Sequence, residues 1–305
     1  MKNAIVTGAN GFIGSALCKE LSMRNIQVTA IVRSRESNID RIKKIPGISM
    51  VYCDLSEYEK LPQLISKQKF DTFYHLAWAG SAGKLRGDSN AQINNIIFAC
   101  DAVKACAALE CKKFVFASSI MEYEISAIME TDSTPNITTL YSTAKVAADY
   151  MSRTLAGALG VAYIRGVISN VYGPGEKSQR LINTSIRKLL NGEHCAFSAG
   201  EQIYDFIYID DAVKALCAIA ENGKPNKTYY IGSQNPRPLK HFLNELKNQI
   251  NPEIEIGLGE LPFNGVSLSY SEFDINAVKE DTGFEPKMEF NEGICRTIKW
   301  IEEGK

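Results

Sequence analysis

A chain of 305 residues with 45% apolar side chains is too long for one ordinary core and suits about two domains. Its 34 basic residues balance 35 acidic ones, which excludes the basic excess that a nucleic-acid or polyanion partner demands. No apolar run is long enough to cross a bilayer, and the first residues pass straight into a strand pattern without a signal-type segment, so a cytoplasmic protein is expected.

Residues 3 to 7 form a short apolar run, followed at once by Gly8-Ala-Asn10-Gly11-Phe12-Ile13-Gly14 and a helical pattern reaching about Met23. Glycines at those places let the backbone turn tightly, approach a pyrophosphate without a Cβ in the way, and pack helix on strand. The free amides at the start of such a helix bind phosphate. A second strand, Gln27 to Arg33, ends on a basic residue: Arg33 either pairs with a ribose 2′-phosphate or is an ordinary solvated cation. A third strand, Ile48 to Cys53, leads to Asp54-Leu55, where the carboxylate either meets a cofactor or caps the next helix.

Strand four, Phe70 to Ala77, is almost continuously apolar, as a strand covered on both faces by helices must be. It ends in His75-Leu76-Ala77-Trp78-Ala79-Gly80, in which Trp78 is either a pocket wall or core packing. A helix is expected from Gln92 to Glu110, carrying Asn95, and strand five, Lys113 to Ala117, delivers Ser118-Ser119-Ile-Met-Glu-Tyr123-Glu124. Ser119 either orients a substrate oxygen or caps a turn, with Ser118 as the competing hydroxyl.

A helix from about Leu140 to Leu159 stops at Gly160 and carries Tyr141-Ser-Thr-Ala-Lys145. Residues one helical turn apart share a face. An ammonium within roughly 4 to 6 Å of a phenol favours the phenolate, which makes Tyr141 a candidate general acid or base. Strand six, Val161 to Ser169, runs into Asn170-Val-Tyr-Gly-Pro-Gly175; beyond it the regular alternation ends. A helix from about Gln179 carries Arg180, and Tyr204-Asp-Phe-Ile-Tyr-Ile-Asp-Asp follows. The eight cysteines include no C-x-x-C pair and the three histidines are isolated, so buried reduced thiols are expected, with neither disulfides nor a metal site.

The T-G-x-x-G-F-I-G turn, the H-L-A segment, the serine four residues before Tyr123, the Y-x-x-x-K helix and the N-x-Y-G-P junction come in the order of the short-chain dehydrogenase/reductase superfamily. The chain resembles its extended, nucleotide-sugar-modifying branch over nearly its whole length. The resemblance implies an α/β fold, with a doubly wound parallel Rossmann sheet over residues 1–169 that binds NAD(P). A smaller mixed substrate domain would cover 170–305, with some segments returning to the first. It implies cofactor contacts from Gly8, Asn10, Gly11, Phe12, Ile13, Gly14, Arg33, Asp54, Leu55, Leu76, Ala77, Ala79, Asn95, Tyr141 and Lys145. Substrate contacts would come from Trp78, Ser119, Asn170, Arg180 and Tyr204.

By the same resemblance Ser119, Tyr141 and Lys145 are catalytic. Tyr141 would transfer the hydroxyl proton, Lys145 would lower its pKa and hold the nicotinamide ribose, and Ser119 would orient the oxygen. Departures from the pattern narrow the activity. Ile120-Met121 stand where sugar-nucleotide 4,6-dehydratases carry an Asp-Glu pair, so the acid and base for expelling a hydroxyl are missing. Glu124 replaces a glycine, and Tyr204 replaces an arginine that often grips the diphosphate, a charge for which Arg180 and Arg237 are the candidate substitutes.

A reductase of a nucleotide-linked 4-keto-6-deoxy sugar is expected, with Arg33 tilting the cofactor towards NADP. A 4-epimerase holding NAD is the alternative, and a non-catalytic dinucleotide-binding regulator a distant one. A homodimer through the helices around Asn95 and Tyr141 is expected, with a nucleotide sugar as substrate and no nucleic-acid or membrane partner.

Overall fold

The computed structural model describes residues 1–66, 68–131 and 134–304. The first half alternates as its apolar runs predict: β1 (Asn3–Thr7), α1 (Phe12–Met23), β2 (Gln27–Val32), β3 (Ile48–Tyr52), the short α2 (Leu61–Leu64), β4 (Thr72–His75), α3 (Ser89–Ala108), β5 (Lys113–Ser119), α4 (Tyr123–Thr131), α5 (Thr139–Ala158) and β6 (Ala162–Ile168). The strands fall within a few residues of their expected places. The helix α4 does not, because nothing in Tyr123–Thr131 marked it off from the loop that follows the serines.

Beyond β6 come β7 (Asn170–Tyr172), α6 (Leu181–Leu190), β8 (Ala196–Phe197), β9 (Ile203–Tyr204), β10 (Phe206–Tyr208), α7 (Ile209–Asn222), β11 (Thr228–Ile231), β12 (Arg237–Pro238), α8 (Leu239–Ile250), β13 (Gly257–Leu258), α9 (Ala277–Thr282) and α10 (Phe290–Glu302).

Among the described residues, seven strands form one parallel sheet in the order β3-β2-β1-β4-β5-β6-β11. Parallel neighbours need crossover connections, and the helices that make them cover both faces. Side chains alternate across each strand. Ala4, Val6, Val115 and Ile164 therefore meet Leu17 and Leu21 of α1 and Leu216 and Ile219 of α7 on one face. Ile5, Phe114, Phe116 and Tyr163 meet Val103 of α3 and Ala148 and Ala156 of α5 on the other. The order reverses between β1 and β4, and an open α/β sheet offers its crevice beyond the carboxyl ends of strands at such a reversal.

Segments of the second half return to the first. β11 adds itself to the edge of the sheet beside β6, and α7 fills the face beneath. Asp205, fully buried between β9 and β10, accepts hydrogen bonds from the Tyr230 hydroxyl on β11 at 2.7 Å and from the Ser233 amide at 3.0 Å. An aromatic cluster of Phe206, Phe242 and Phe290, with ring centroids 4.7 to 4.9 Å apart along the chain of contacts, joins β10, α8 and α10.

A polar network runs through the far side of the sheet beside the serine turn. Arg165 of β6 pairs with the buried carboxylates of Glu122, and of Asp149 at 3.6 Å, and its Nε donates to Ser118 Oγ at 3.1 Å. The Tyr163 hydroxyl donates to Asp149 at 2.9 Å. Removing one partner from a buried ion pair leaves a desolvated charge without compensation. Arg165→Met is expected to cost about 3–5 kcal/mol of stability, read as a lowered midpoint in urea denaturation; an unchanged midpoint would show that water reaches the two carboxylates.

Candidate active site

The site begins at the glycine turn. Gly8 takes a positive φ of 65° while packing against the backbone of Ala77, and a Cβ on Gly14 would stand 2.1 Å from the Gly8 carbonyl oxygen. That closeness lets α1 start directly beneath the end of β1. No side chain caps α1 at Gly11, so the first-turn amides keep their hydrogen-bonding capacity and present the positive end of the helix.

Gly8, Asn10, Gly11, Phe12, Ile13 and Gly14 line a cavity of about 610 Å³ over the carboxyl ends of the strands, together with Arg33, Leu55, Leu76, Ala77, Trp78, Ser119, Tyr141, Lys145 and Arg180. An adjoining cavity of about 380 Å³ shares Ser119, Tyr141 and Arg180 and adds Arg86, Asn170 and Tyr204. A cleft of this shape, with uncapped amides at one end, fits the pyrophosphate of a dinucleotide.

Three residues expected at the cofactor do not line this cavity. Asp54 caps the turn over Leu55–Lys60, accepting from the Ser56 amide at 3.0 Å, and it faces Arg33 at 3.9 Å. Asn95 is buried and clamps Ala79 through both backbone groups, accepting from its amide at 2.9 Å and donating to its carbonyl at 2.8 Å. Asn95 and Ala79 therefore shape the loop after β4 from behind, and neither lines the cavity. Arg237 also stands apart, paired with Glu245 and stacked 4.2 Å from the Phe242 ring centre. Arg180 remains at the cleft as the residue preceding α6, 3.6 Å from Glu176.

Tyr141 and Lys145 share a face of α5 as their spacing requires, and both are buried. The Lys145 ammonium donates to the Ala117 carbonyl at 2.8 Å and lies 3.8 Å from the Trp78 ring centre. Burial pulls its pKa down to about 7, with the Glu122 carboxylate opposing that shift. The expected acidification of Tyr141 by Lys145 is not what the structure shows. Burial pushes the phenol above its ordinary value, and the influences that offset this are a hydrogen bond with Ser119 and the charges of Arg86 and Arg180. The Arg86 guanidinium lies 4.3 Å from the centre of the Tyr141 ring, and Trp78 meets the same ring edge-on at 6.0 Å. Lys145 is turned to the end of β5 instead.

Several residues at the site were not read from the sequence. Gln92 accepts from the Trp78 indole at 3.0 Å and donates to the Leu85 carbonyl at 2.8 Å, fastening the loop that carries Arg86. Glu122 takes the hydroxyl of Ser118 and the amide of Ser119 at 3.1 Å, so Ser118 is committed to the network below and Ser119 is the hydroxyl left at the cleft. The only sequence signal for Glu122 was a charged residue placed between apolar positions, three residues after Ser119.

Residues 4–232 match the NAD dependent epimerase/dehydratase family. The dTDP-glucose 4,6-dehydratase of Neisseria gonorrhoeae is 25% identical over 100% of this chain and 96% of its own length. UDP-glucuronate 4-epimerase 1 of Arabidopsis thaliana is 24% identical over 98% of this chain and 76% of its own length. Among solved structures, the UDP-N-acetylglucosamine 4-epimerase of Methanobrevibacter ruminantium M1, in complex with UDP-N-acetylmuramic acid, superposes with a TM-score of 0.84 at 22% identity over 100% of this chain and 99% of that one.

The depressed pKa of Lys145 has a consequence for stability. Between about 7 and the ordinary lysine value near 10.4 the unfolded chain binds a proton that the folded one does not, so stability from this group rises with pH across that window. Lys145→Met is expected to flatten the rise. The check is thermal unfolding of the protein without added dinucleotide from pH 7 to 9.5, and identical slopes for both proteins would refute it.

Proposed function

This chain belongs to the NAD dependent epimerase/dehydratase family, and on that premise we propose that it is an NAD(P)-dependent oxidoreductase of a nucleotide-linked sugar, most specifically a reductase of a 4-keto-6-deoxy sugar. The observation that carries this reading is the convergence of Ser119, Tyr141 and Lys145 on one cleft with the glycine turn. A regulator that only bound dinucleotide would have no use for a buried phenol, lysine and serine held together in this way.

A nicotinamide bound in the cleft would supply the hydride chemistry. The protein's part is to bind, orient and move a proton. Tyr141 Oη gives the proton to the sugar oxygen, and Ser119 Oγ hydrogen-bonds that oxygen to hold it in line. Arg86 and Arg180 steady the phenolate that results. Lys145, fixed on the Ala117 carbonyl, is positioned to hold a ribose hydroxyl. Trp78 shields this end of the cleft from water. Of the two residues at the dehydratase acid-base positions, Ile120 is buried and apolar and Met121 lines the smaller cavity, which speaks against dehydration.

Arg33 lines the cleft beside Ser37 and Asn38 and supports NADP as the cofactor. The 4-epimerase reading, with NAD retained between turnovers, draws on the epimerases among the similar proteins, of which the UDP-glucuronic acid 4-epimerase of Bacillus cereus is solved with NAD. The balanced charge and the free, mostly buried cysteines are consistent with a cytoplasmic protein, and no helix among the described residues is long and apolar enough to cross a membrane. Exposed Ile93 and Ile97 on α3 and Tyr150 on α5 give two packed helices an apolar outer surface suited to a second copy. Light scattering is expected to return twice the 33.7 kDa chain mass, and a monomer would remove that assembly.

The experiment for the activity begins with the dinucleotide released on denaturing the purified protein. A reductase is expected to release little and to be stabilised more by NADPH than by NADH; stoichiometric NAD would favour the epimerase. Tyr141→Phe should keep dinucleotide binding and lose turnover of a nucleotide-linked 4-keto sugar by roughly 10² or more. Near-normal turnover in that variant would take Tyr141 out of the mechanism.

A further inference from the structure

The wall of the cleft beyond Ser119 carries an ionisable group that the reaction above does not use. Glu124, in the first turn of α4, is 9% exposed and occupies the position where the resembled family has glycine. Its Oε2 accepts a hydrogen bond from Ser142 Oγ at 2.7 Å, and Ser142 is fully buried on α5. Among the described residues Ser142 is its one hydrogen-bond donor.

Glu124 borders a small cavity of about 80 Å³ whose walls include Met121, Asn170, Tyr204 and Tyr270. Met121, Asn170 and Tyr204 also line the 380 Å³ cavity that holds Ser119 and Tyr141, so the two spaces share a wall at the reacting end of the cleft. Burial pushes the Glu124 pKa up, with the Ser142 hydrogen bond and the Arg86 charge opposing it. The Arg86 guanidinium itself is engaged, flat on the Tyr141 ring and donating to the Ser81 carbonyl at 3.3 Å.

A buried carboxyl with unused acceptor capacity gains when a ligand brings a donor and loses when it brings another acceptor. Tyr204 lines the same cavity where the resembled pattern has an arginine, and burial first and the Glu124 charge second push its phenol up, so this corner offers an anion no cation and sets a carboxylate beside it. We infer that Glu124, with Tyr204, is a specificity-determining subsite that accepts a hydroxyl or amino group of the substrate sugar and rejects a carboxylate there. The inference rests on the nucleotide-sugar reading and adds to it the residue that selects the class of sugar: a neutral or amino sugar, which includes a 4-keto-6-deoxy sugar, rather than a uronic acid.

A purely structural Glu124 would tie α4 to α5 through Ser142 and leave selectivity alone. The test is calorimetric titration of the dinucleotide-loaded protein with UDP and dTDP, then with glucose, glucosamine and glucuronate linked to whichever nucleotide binds. The unmodified protein is expected to prefer the first two sugars over glucuronate by about tenfold or more, since like charges brought together repel. Glu124→Gln should narrow that ratio to about threefold or less, with affinity for the bare nucleotide unchanged.

Ser142→Ala removes the tie and keeps the carboxyl, so it should retain the original preference. The inference is overturned if Glu124→Gln leaves the ratio as it was, if it changes the bare nucleotide as much as the sugars, or if Ser142→Ala abolishes the preference equally. Failure of both bare nucleotides to bind would instead overturn the nucleotide-sugar reading, and the subsite with it.

Discussion

A parallel sheet has to be covered on both faces, and that requirement organises the molecule. Each strand must be reached by a crossover that returns to the same edge, so every strand of the seven ends on the same side. The glycine turn after β1, the loop after β4, the serines at the end of β5 and Asn170 after β6 are distant in sequence and adjacent in space for that reason alone. Even β11, from far along the chain, joins in parallel and leaves its following loop at the same end, where Ser233 meets Asp205.

Within that frame the site is built from two layers with different physics. The upper layer faces the cleft and is sparsely hydrogen-bonded: uncapped amides at α1, the Tyr141 phenol, the Ser119 hydroxyl. The lower layer is densely paired. Glu122, Arg165, Asp149, Tyr163 and Ser118 pair with one another beneath the serine turn, with Asp149 Oδ2 held by charge alone, and Asn95 and Gln92 fasten the loop after β4. Rigid polar support of this kind keeps the few cleft-facing groups in place, with Ser119 also capping the turn after β5 by accepting from the Met121 amide at 3.3 Å, and leaves them hydrogen-bonding capacity to act on a ligand. It also accounts for Ser119, and not its neighbour, being the hydroxyl at the cleft.

Electrostatics at the tyrosine are set by burial first and charges second. A phenol and an ammonium one turn apart were expected to assist each other, yet the helix places Lys145 against the Ala117 carbonyl and the Trp78 face. The cations that bear on the phenol come instead from Arg86, in the loop after β4, and Arg180, before α6. Sharing a helix face fixes which side of the helix two side chains leave from, and the neighbours on other elements then decide where their ends go.

The sequence by itself determined the sheet, the glycine turn, the phenol-lysine helix and the family, because each rests on local periodicity or on residue types at fixed spacing. The near-continuous apolar runs could only be buried parallel strands, and Gly8 and Gly14 could only be glycine where backbone meets backbone. Tertiary structure alone decided the rest. Asp54, which the sequence left as either a cofactor contact or a cap, caps a turn, and Asn95 clamps a loop, since an amide or carboxylate takes whichever backbone group the fold brings within reach. Arg86, Glu122 and Glu124 acquired their places at the site from contacts between elements that no spacing along the chain records. Charge and hydrogen bonding act over a few ångströms of space, and only the folded chain sets those distances.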